Sequence, residues 1–486
     1  MLFNSIQFML FLPIVVFIYY IIPDKVRYIW LLLSSYFFYM CWNPRYIILI
    51  IASTIVTYLS GIGIQYFRER YSDRKFSEYI LAGSLIFNIG ILVLFKYLDW
   101  ILGNVSTVFH IQRSLSFHWI LPVGISFYTF QALGYTIDVY RGSIKAEKNI
   151  LRYALFVSFF PQLVAGPIER SKNLLHQIDN MDHIKFKIQN LREGFCLLLY
   201  GFFLKIIIAD RAAVLVDQVF DNYNIYGFVE LTVAAILFAI QILCDFNGYT
   251  IIAQGSGIML GIRLMDNFHQ PYLATSIKEF WRRWHISLTS WFTDYLYIPL
   301  GGNRKGAVRK MLNIMIVFLV SGLWHGASWN YVAWGILHGV YQNVEIIFQK
   351  IKNKVCFKQN DKIQFSTRLV KTLWTFVLVD MAWVFFRANS FGDALRYFYQ
   401  MLQSFQNISL LSLGFQWYDW LIFIVAVLIM LVVDILHEKD IHIRQWLYGE
   451  KRWFRWLIYF TAIWGLILFG KYGVIYDASQ FIYFQF

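Results

Sequence analysis

Charged residues and cysteines are scarce in this sequence, and each shortage excludes a class of protein. Only 15% of the 486 residues are charged, whereas soluble globular chains carry roughly 25% because their surfaces face water. The four cysteines are scattered without metal-ligand spacing, which excludes a disulfide scaffold and a paired-cysteine metal centre. With 58% hydrophobic and 20% aromatic residues, the chain is equally unlike a disordered or collagen-like protein.

The apolar residues occur in runs of about twenty, the length of helix that crosses a hydrocarbon core roughly 30 Å thick. We therefore predict an all-α polytopic membrane protein with about 12 transmembrane helices. The predicted spans are residues 5–22, 28–41, 44–66, 79–98, 119–140, 190–209, 229–246, 311–328, 331–349, 371–388, 417–436 and 456–473. Residues 150–190 and 245–300 do not fit simple spans, since prolines, glycines and charges interrupt them, and we predict re-entrant segments there.

The net charge of +14 is typical of basic cytoplasmic loops and does not indicate nucleic-acid binding, because no basic patch is interleaved with stacking aromatics. Loops 301–310 and 350–371 are the most basic, and two spans separate them, which places both on the cytoplasmic side. By alternation, loops 141–192 and 437–455 also lie inside, and loops 99–118, 210–228 and 389–416 lie outside. The pattern predicts a multi-pass protein of the cytoplasmic membrane with both termini outside.

We treat the chain as a single integral-membrane domain with three regions. These are N-terminal spans within 1–150, a core with re-entrant segments within 151–350, and C-terminal spans within 351–486. A transporter or lipid flippase is one functional class with this composition. Such proteins commonly contain inverted repeats, and we detect no convincing repeat in this sequence.

The segment Glu279–Asp294 concentrates charged and aromatic residues, and we predict that it forms one helix. In a helix, Trp281 and His285 share a face because they are four residues apart. Arg282 and Arg283 then point elsewhere, towards a lipid headgroup or a bound anion. Two interpretations stay open: a cytoplasm-side site for an anionic acyl carrier with His285 in the pocket, or an interfacial helix whose arginines reach lipid phosphates.

A histidine next to glycines interrupts the apolar segment that follows. Gly322 and Gly326 flank His325 and permit a helix break or a close backbone approach, which would leave the imidazole facing a cavity. An imidazole with a near-neutral pKa can accept a proton from a hydroxyl group. The alternative is a structural histidine that is hydrogen-bonded between helices, and this is our interpretation of His338.

Several longer motifs occur together with these histidines. They are Ile120–Gln131, Phe159–Ile168, Glu279–Leu288, Tyr297–Asn303, Trp324–Gly326, Trp383–Arg387 and Phe481–Phe486. With these motifs in this order, the chain resembles the membrane-bound O-acyltransferase family, and most of all its bacterial alginate O-acetyltransferase-like branch. The resemblance extends over essentially the whole chain.

The resemblance implies a fold and an activity. The implied fold has tilted and re-entrant helices around a central tunnel that joins the two membrane faces. The implied reaction takes an acyl group from a cytoplasmic thioester, such as acetyl coenzyme A, to a hydroxyl of an extracytoplasmic polysaccharide, with no permanently bound cofactor. The implied partners are an extracytoplasmic esterase-like acyltransferase and polysaccharide biosynthesis proteins. D-alanyl transfer to teichoic acid is the alternative within the family.

The resemblance also implies roles for individual residues. His325 occupies the position of the family's catalytic histidine, and His285 matches its second functional histidine. Apart from the resemblance, we expect substrate or donor contacts from Trp281, Arg282, Arg283, Trp324, Asn330 and Asp245. We predict no metal site.

Overall fold

The structure is a computed structural model that describes residues 1–71, 74–111, 116–117, 119–164, 166–355, 365–405 and 415–472. Throughout these residues the regular elements are helices, which confirms the predicted all-α class. The motif Phe481–Phe486 and the centre of the basic loop, residues 356–364, lie outside the described residues.

The first half of the chain alternates long apolar helices with short buried ones. Its helices are α1 (Ile6–Ile21), α2 (Arg27–Met40), α3 (Ile47–Arg70), α4 (Arg74–Leu92), α5 (Leu98–Val108), α6 (Ile125–Arg141), α7 (Ile150–Ser158), α8 (Phe160–Leu163), α9 (Ser171–Asp179), α10 (Ile188–Phe202), α11 (Asp210–Asp221) and α12 (Phe228–Met259). A π-helical stretch, Val93–Tyr97, joins α4 to α5, and another, Phe203–Ala209, joins α10 to α11.

The second half begins with two short helices and continues with long ones. Its helices are α13 (Ile277–Arg283), α14 (Ile286–Phe292), α15 (Gly306–His325), α16 (Trp329–Val355), α17 (Phe365–Arg387), α18 (Phe391–Gln403), α19 (Trp417–Glu438), α20 (Ile443–Gly449) and α21 (Arg452–Phe469).

Six helical stretches among the described residues are long and apolar enough to cross a membrane. They are Pro44–Arg70, Arg74–Val108, Phe228–Met259, Gly306–His325, Ser366–Arg387 and Trp417–Glu438. The other six predicted spans coincide with α1, α2, α6, α10, α16 and α21, which are shorter or more polar. The protein is therefore a multi-pass membrane protein, while the total of twelve crossings stays a prediction.

By internal packing the chain separates into two units. The first contains Met1–Leu198 and Tyr249–Met265, and in it α3 packs against α4 and α6 while α2 packs against α7. The second contains Leu199–Gly248 and the described residues from Asp266 onward, and in it α16 packs against α15 and α17. Both predicted catalytic histidines lie in the second unit. The three sequence regions proposed above stay a prediction.

One boundary of the predicted re-entrant segment 245–300 is wrong, because residues 245–259 belong to helix α12. Helix α12 continues to Met259 through three glycines. A β-carbon at Gly255 would lie 2.8 Å from the carbonyl oxygen of Gly194. This glycine therefore serves a close helix–helix approach within the first unit and does not interrupt the helix.

The predicted span 119–140 and the predicted irregular segment 150–190 had different outcomes. The span 119–140 begins as a helix only at Ile125, after Gly124 with a left-handed φ of 74°. Residues 150–190 form the short helices α7, α8 and α9, none of which is long enough to span a bilayer. The prediction that this region contains no simple span is confirmed.

Candidate active site

His325 is the last residue of α15, at the helix break predicted from its neighbouring glycines. The chain becomes extended at Gly326 and re-enters a helix at Trp329. The side chain of His325 is only 4% exposed. Its ring centroid lies 4.9 Å from Trp324, 5.0 Å from Trp334 and 5.2 Å from Phe386. Aromatic rings therefore surround the imidazole and keep water away from it.

Close helix packing fixes the position of His325. A β-carbon at Gly322 would lie 2.3 Å from the carbonyl oxygen of Tyr331, and one at Gly335 would lie 2.3 Å from that of Phe318. Helices α15 and α16 therefore cross with their backbones in direct contact at these glycines. The crossing holds the end of α15, and with it the imidazole, against α16.

His285 lies between α13 and α14 in a left-handed conformation, with φ 44° and ψ 53°. It is 1% exposed, and burial lowers the pKa of its imidazole to about 3. Its ring centroid lies 4.6 Å from Phe246 and 6.0 Å from Trp324. Because Trp324 also contacts His325, the structure brings both predicted catalytic histidines to the same indole ring.

The backbone around His285 is held by the preceding loop. Asn267 accepts a hydrogen bond from the Ile286 amide at 2.9 Å through its carbonyl oxygen, and its side-chain oxygen accepts one from the Ser287 hydroxyl at 2.6 Å. The His269 amide donates to the carbonyl oxygen of Arg283 at 3.0 Å. Asn267 and Ser287 are both fully buried. The segment therefore has one well-defined path through His285.

The prediction of one helix over Glu279–Asp294 is wrong, because the left-handed residue at 285 ends α13 and starts α14. Trp281 and His285 consequently do not share a helix face. Trp281 instead donates its indole hydrogen to Nδ1 of His338 at 3.2 Å. His338 is completely buried, and its ring is parallel to Phe280 at a centroid distance of 6.3 Å. These contacts agree with the structural role inferred for His338.

Arg282 and Arg283, the two arginines that end α13, differ in their surroundings. Arg283 pairs with Glu279 and Glu438, each at 2.6 Å, and Glu438 also pairs with Arg368 at 2.7 Å. The hydrogen bond that Arg283 donates to the Glu438 carboxylate raises the pKa of Arg283. Arg282 is exposed. Only Arg282 therefore presents its charge outward, while that of Arg283 is balanced by carboxylates.

Asp245 and Asn330 both have protein partners. Asp245 forms a 2.7 Å ion pair with Lys205, which also pairs with Asp210 at 2.8 Å. All three side chains are buried. Asn330 donates to the carbonyl oxygen of Ala388 at 2.8 Å, next to the end of α17 that carries Phe386. These contacts give both residues structural functions, and direct contact with a substrate stays a prediction.

Comparison with known proteins decides the family. The family model described as "MBOAT, membrane-bound O-acyltransferase family" matches residues 143–386. The chain is 38% identical over 400 residues to the probable alginate O-acetylase AlgI of Pseudomonas putida, covering 82% of this chain and 79% of that protein. The chain belongs to the membrane-bound O-acyltransferase family. It is therefore an enzyme that transfers acyl groups.

Other relatives in this family differ in their named acceptors. The peptidoglycan O-acetyltransferase of Helicobacter pylori is 33% identical over 426 residues, covering 82% of this chain and 79% of that protein. The teichoic acid D-alanyltransferase of Bacillus subtilis is 27% identical over 299 residues, covering 58% of this chain and 72% of that protein. O-acetyltransferases thus match more of this acyltransferase at higher identity.

Sequence reasoning missed two features of this acyltransferase's second unit. Lys205 lies within a predicted span, and an ionisable residue there is itself a signal of a buried partner or a function. A cavity in the second unit is lined by polar side chains from Tyr200, Asn247, Gln270 and Asp434 together with Phe268. These residues come from separate helices and one loop, so no local pattern could have grouped them.

Proposed function

We propose that this membrane-bound O-acyltransferase is an O-acetyltransferase of the cytoplasmic membrane. It takes the acetyl group of a cytoplasmic thioester, acetyl coenzyme A, and transfers it to hydroxyls of an extracytoplasmic polysaccharide, directly or through a partner acyltransferase. The higher identity and wider coverage of the named O-acetyltransferases support acetyl over D-alanyl transfer. The family assignment removes the support for a transporter.

His325 acts as the general base in this reaction. It takes the proton of the acceptor hydroxyl while that oxygen attacks the thioester carbonyl carbon, and the proton then passes to the departing thiolate. Thioesters are already activated, so the enzyme needs chiefly to orient the reactants and exclude water. The aromatic rings around His325 supply such a dry environment. Water in their place would hydrolyse the donor.

His285 positions the acyl group or stabilises the developing oxyanion. Its depressed pKa keeps the imidazole neutral at physiological pH, so it donates or accepts a hydrogen bond without carrying charge. Arg282 and the basic loops attract the phosphates of the donor. Arg283, which is engaged with two carboxylates, anchors the end of α13 two residues before His285.

The observation that carries the proposal is the burial of His325 among aromatic rings at a helix break. We expect H325A and the similarly sized H325Q to abolish polysaccharide acetylation in cells, since neither side chain can accept the proton. The measurement is acetyl ester content of the surface polysaccharide by mass spectrometry, with immunoblots of the membrane fraction to show normal abundance. Near-normal acetyl content in either variant would refute the role of His325.

The same cells can test the identity of the acyl group. Cells expressing the wild-type enzyme are supplied with ¹³C-labelled acetate or labelled D-alanine. The proposal requires the acetate label in polysaccharide esters and its loss in H325A. Label from D-alanine that depends on His325 would instead establish D-alanyl transfer.

A further inference from the structure

The indole of Trp334 is completely buried and contacts His325. The two ring centroids are 5.0 Å apart and the rings are nearly perpendicular, at 86°. No acceptor among the described residues lies within hydrogen-bonding distance of Trp334 Nε1. The large majority of buried side-chain polar atoms in folded proteins have a hydrogen-bond partner. A buried donor without an acceptor, beside the proposed base, therefore requires an explanation.

The neighbours of Trp334 do not provide an acceptor. Its ring is surrounded by the rings of His338, Trp383 and Phe386, with centroid distances of 5.0, 5.9 and 5.3 Å. Trp281, in contrast, donates its indole hydrogen to His338 Nδ1. The two tryptophans contact the same histidine, but the hydrogen-bonding capacity of only one is used within the protein.

We propose that the Nε1 hydrogen of Trp334 is a catalytic hydrogen-bond donor to the carbonyl oxygen of the acyl thioester. This inference rests on the proposed function of His325. As the acceptor oxygen bonds to the carbonyl carbon, negative charge develops on the carbonyl oxygen and the Trp334 hydrogen bond stabilises it. The carbon–sulfur bond then breaks and the thiolate takes the proton held by His325. Trp334 keeps its own proton throughout.

A pre-organised donor of this kind is useful in a dry site. Its interaction strengthens as charge develops, and it needs no reorganisation at the moment of reaction. The donor is also costly to the free enzyme, because a buried and unsatisfied N–H group destabilises the fold. Removal of the hydrogen alone should therefore lower the rate without lowering stability. If the N–H group were instead bonded to an acceptor within the fold, its removal would lower stability and leave the rate unchanged.

The test uses full-length enzyme in liposomes with acetyl coenzyme A as donor and, as acceptor, surface polysaccharide isolated from cells that lack the enzyme. Trp334 is replaced by benzothienylalanine, which has a sulfur atom in place of the indole N–H, and by W334F. We expect kcat to fall about 100-fold, the usual size for loss of one oxyanion donor, with little change in donor KM. The thermal midpoint of the benzothienylalanine protein should be unchanged or higher.

Trp383 provides the matched control. Its indole is also buried, and among the described residues its Nε1 has no acceptor, but its ring contacts Phe386 and not His325. Benzothienylalanine at 383 should therefore leave kcat within about threefold of wild type, since a donor away from the reacting carbonyl supplies no transition-state stabilisation.

The possible results separate the two proposals. Wild-type kcat in the Trp334 analogue, alongside an inactive H325A, overturns the role of Trp334 only. A lower thermal midpoint in that analogue shows that the hydrogen has a structural acceptor and also overturns it. A fully active H325A overturns the proposed function and this inference together. An equal loss of kcat from both tryptophan analogues shows that the effect is not specific to the donor beside His325.

Discussion

The left-handed backbone conformation of His285 lowers the stability of the folded protein, and contacts with neighbouring residues must compensate for this loss. A non-glycine residue in this conformation is less stable by about 1–2 kcal/mol. The hydrogen bonds from Ile286 and Ser287 to Asn267 hold the chain after the strained residue, and the bond from the His269 amide to the carbonyl oxygen of Arg283 holds it before that residue. Strain held at a specific side chain in this way is common at functional sites.

We predict that H285G is more stable than H285A by about 1 kcal/mol, although glycine leaves the larger cavity, because only glycine adopts the left-handed conformation without cost. The measurement is the thermal midpoint of each purified variant in detergent. Both variants should lose acetylation. Equal or lower stability of H285G would contradict the claim that the backbone is strained here.

The depressed pKa of His285 predicts a stability loss in acid. Burial lowers this pKa from its usual 6.5 to about 3. Above pH 6.5 the imidazole is neutral in both folded and unfolded chains. As the pH falls from 6.5 to 3, only the unfolded chain takes up the proton, so the wild type loses up to about 1.4 kcal/mol per pH unit.

The reference for this measurement is H285N, which has no titrating group and a residue type that tolerates the left-handed conformation. We expect the thermal midpoint of the wild type to decrease relative to that of H285N as the pH is lowered from 7 to 4. A constant difference across that range would show that the imidazole is accessible to protons in the folded state.

At the scale of helices, the close crossing of α15 and α16 determines the position of His325. We predict that G322A lowers stability by about 1–3 kcal/mol, the usual cost of overpacking, and reduces acetylation because it displaces His325. G465A in α21 is the matched control, since a β-carbon there meets nothing within 4 Å. G465A should leave the stability of the protein unchanged or raise it slightly, because alanine has the higher helix propensity. Thermal midpoints and acetyl content measure both effects, and unchanged values for G322A would contradict the close crossing.

Some elements could be predicted from sequence and others could not, for physical reasons. Runs of apolar residues predict helices reliably because an unpaired backbone is not tolerated in lipid. The break at His325 has a local signal in its glycines. The break at His285 has no local signal, because it depends on hydrogen bonds to Asn267, eighteen residues earlier in the chain. The pairing of Asp245 with Lys205 likewise requires the fold.

For the whole molecule, the positive-inside pattern predicts which loops face the cytoplasm. Lys305 lies in a predicted inside loop and Asn224 in a predicted outside loop, and both are exposed. In a variant without native cysteines, K305C should react with a membrane-impermeant maleimide only after cell lysis, and N224C should react in intact cells. Reaction of both from the same side would contradict the predicted topology.

Under the proposed function, the backbone contact between Gly322 and Gly335 has a consequence for the choice of acceptor polymer. The proposed base, His325, ends α15, and the direct backbone contact of α15 with α16 prevents it from shifting to follow acceptors of different shape. Discrimination between glycans therefore falls to segments outside this pair of helices. Exchanging those segments between relatives, with α15 and α16 left intact, should transfer preference for one polymer to another.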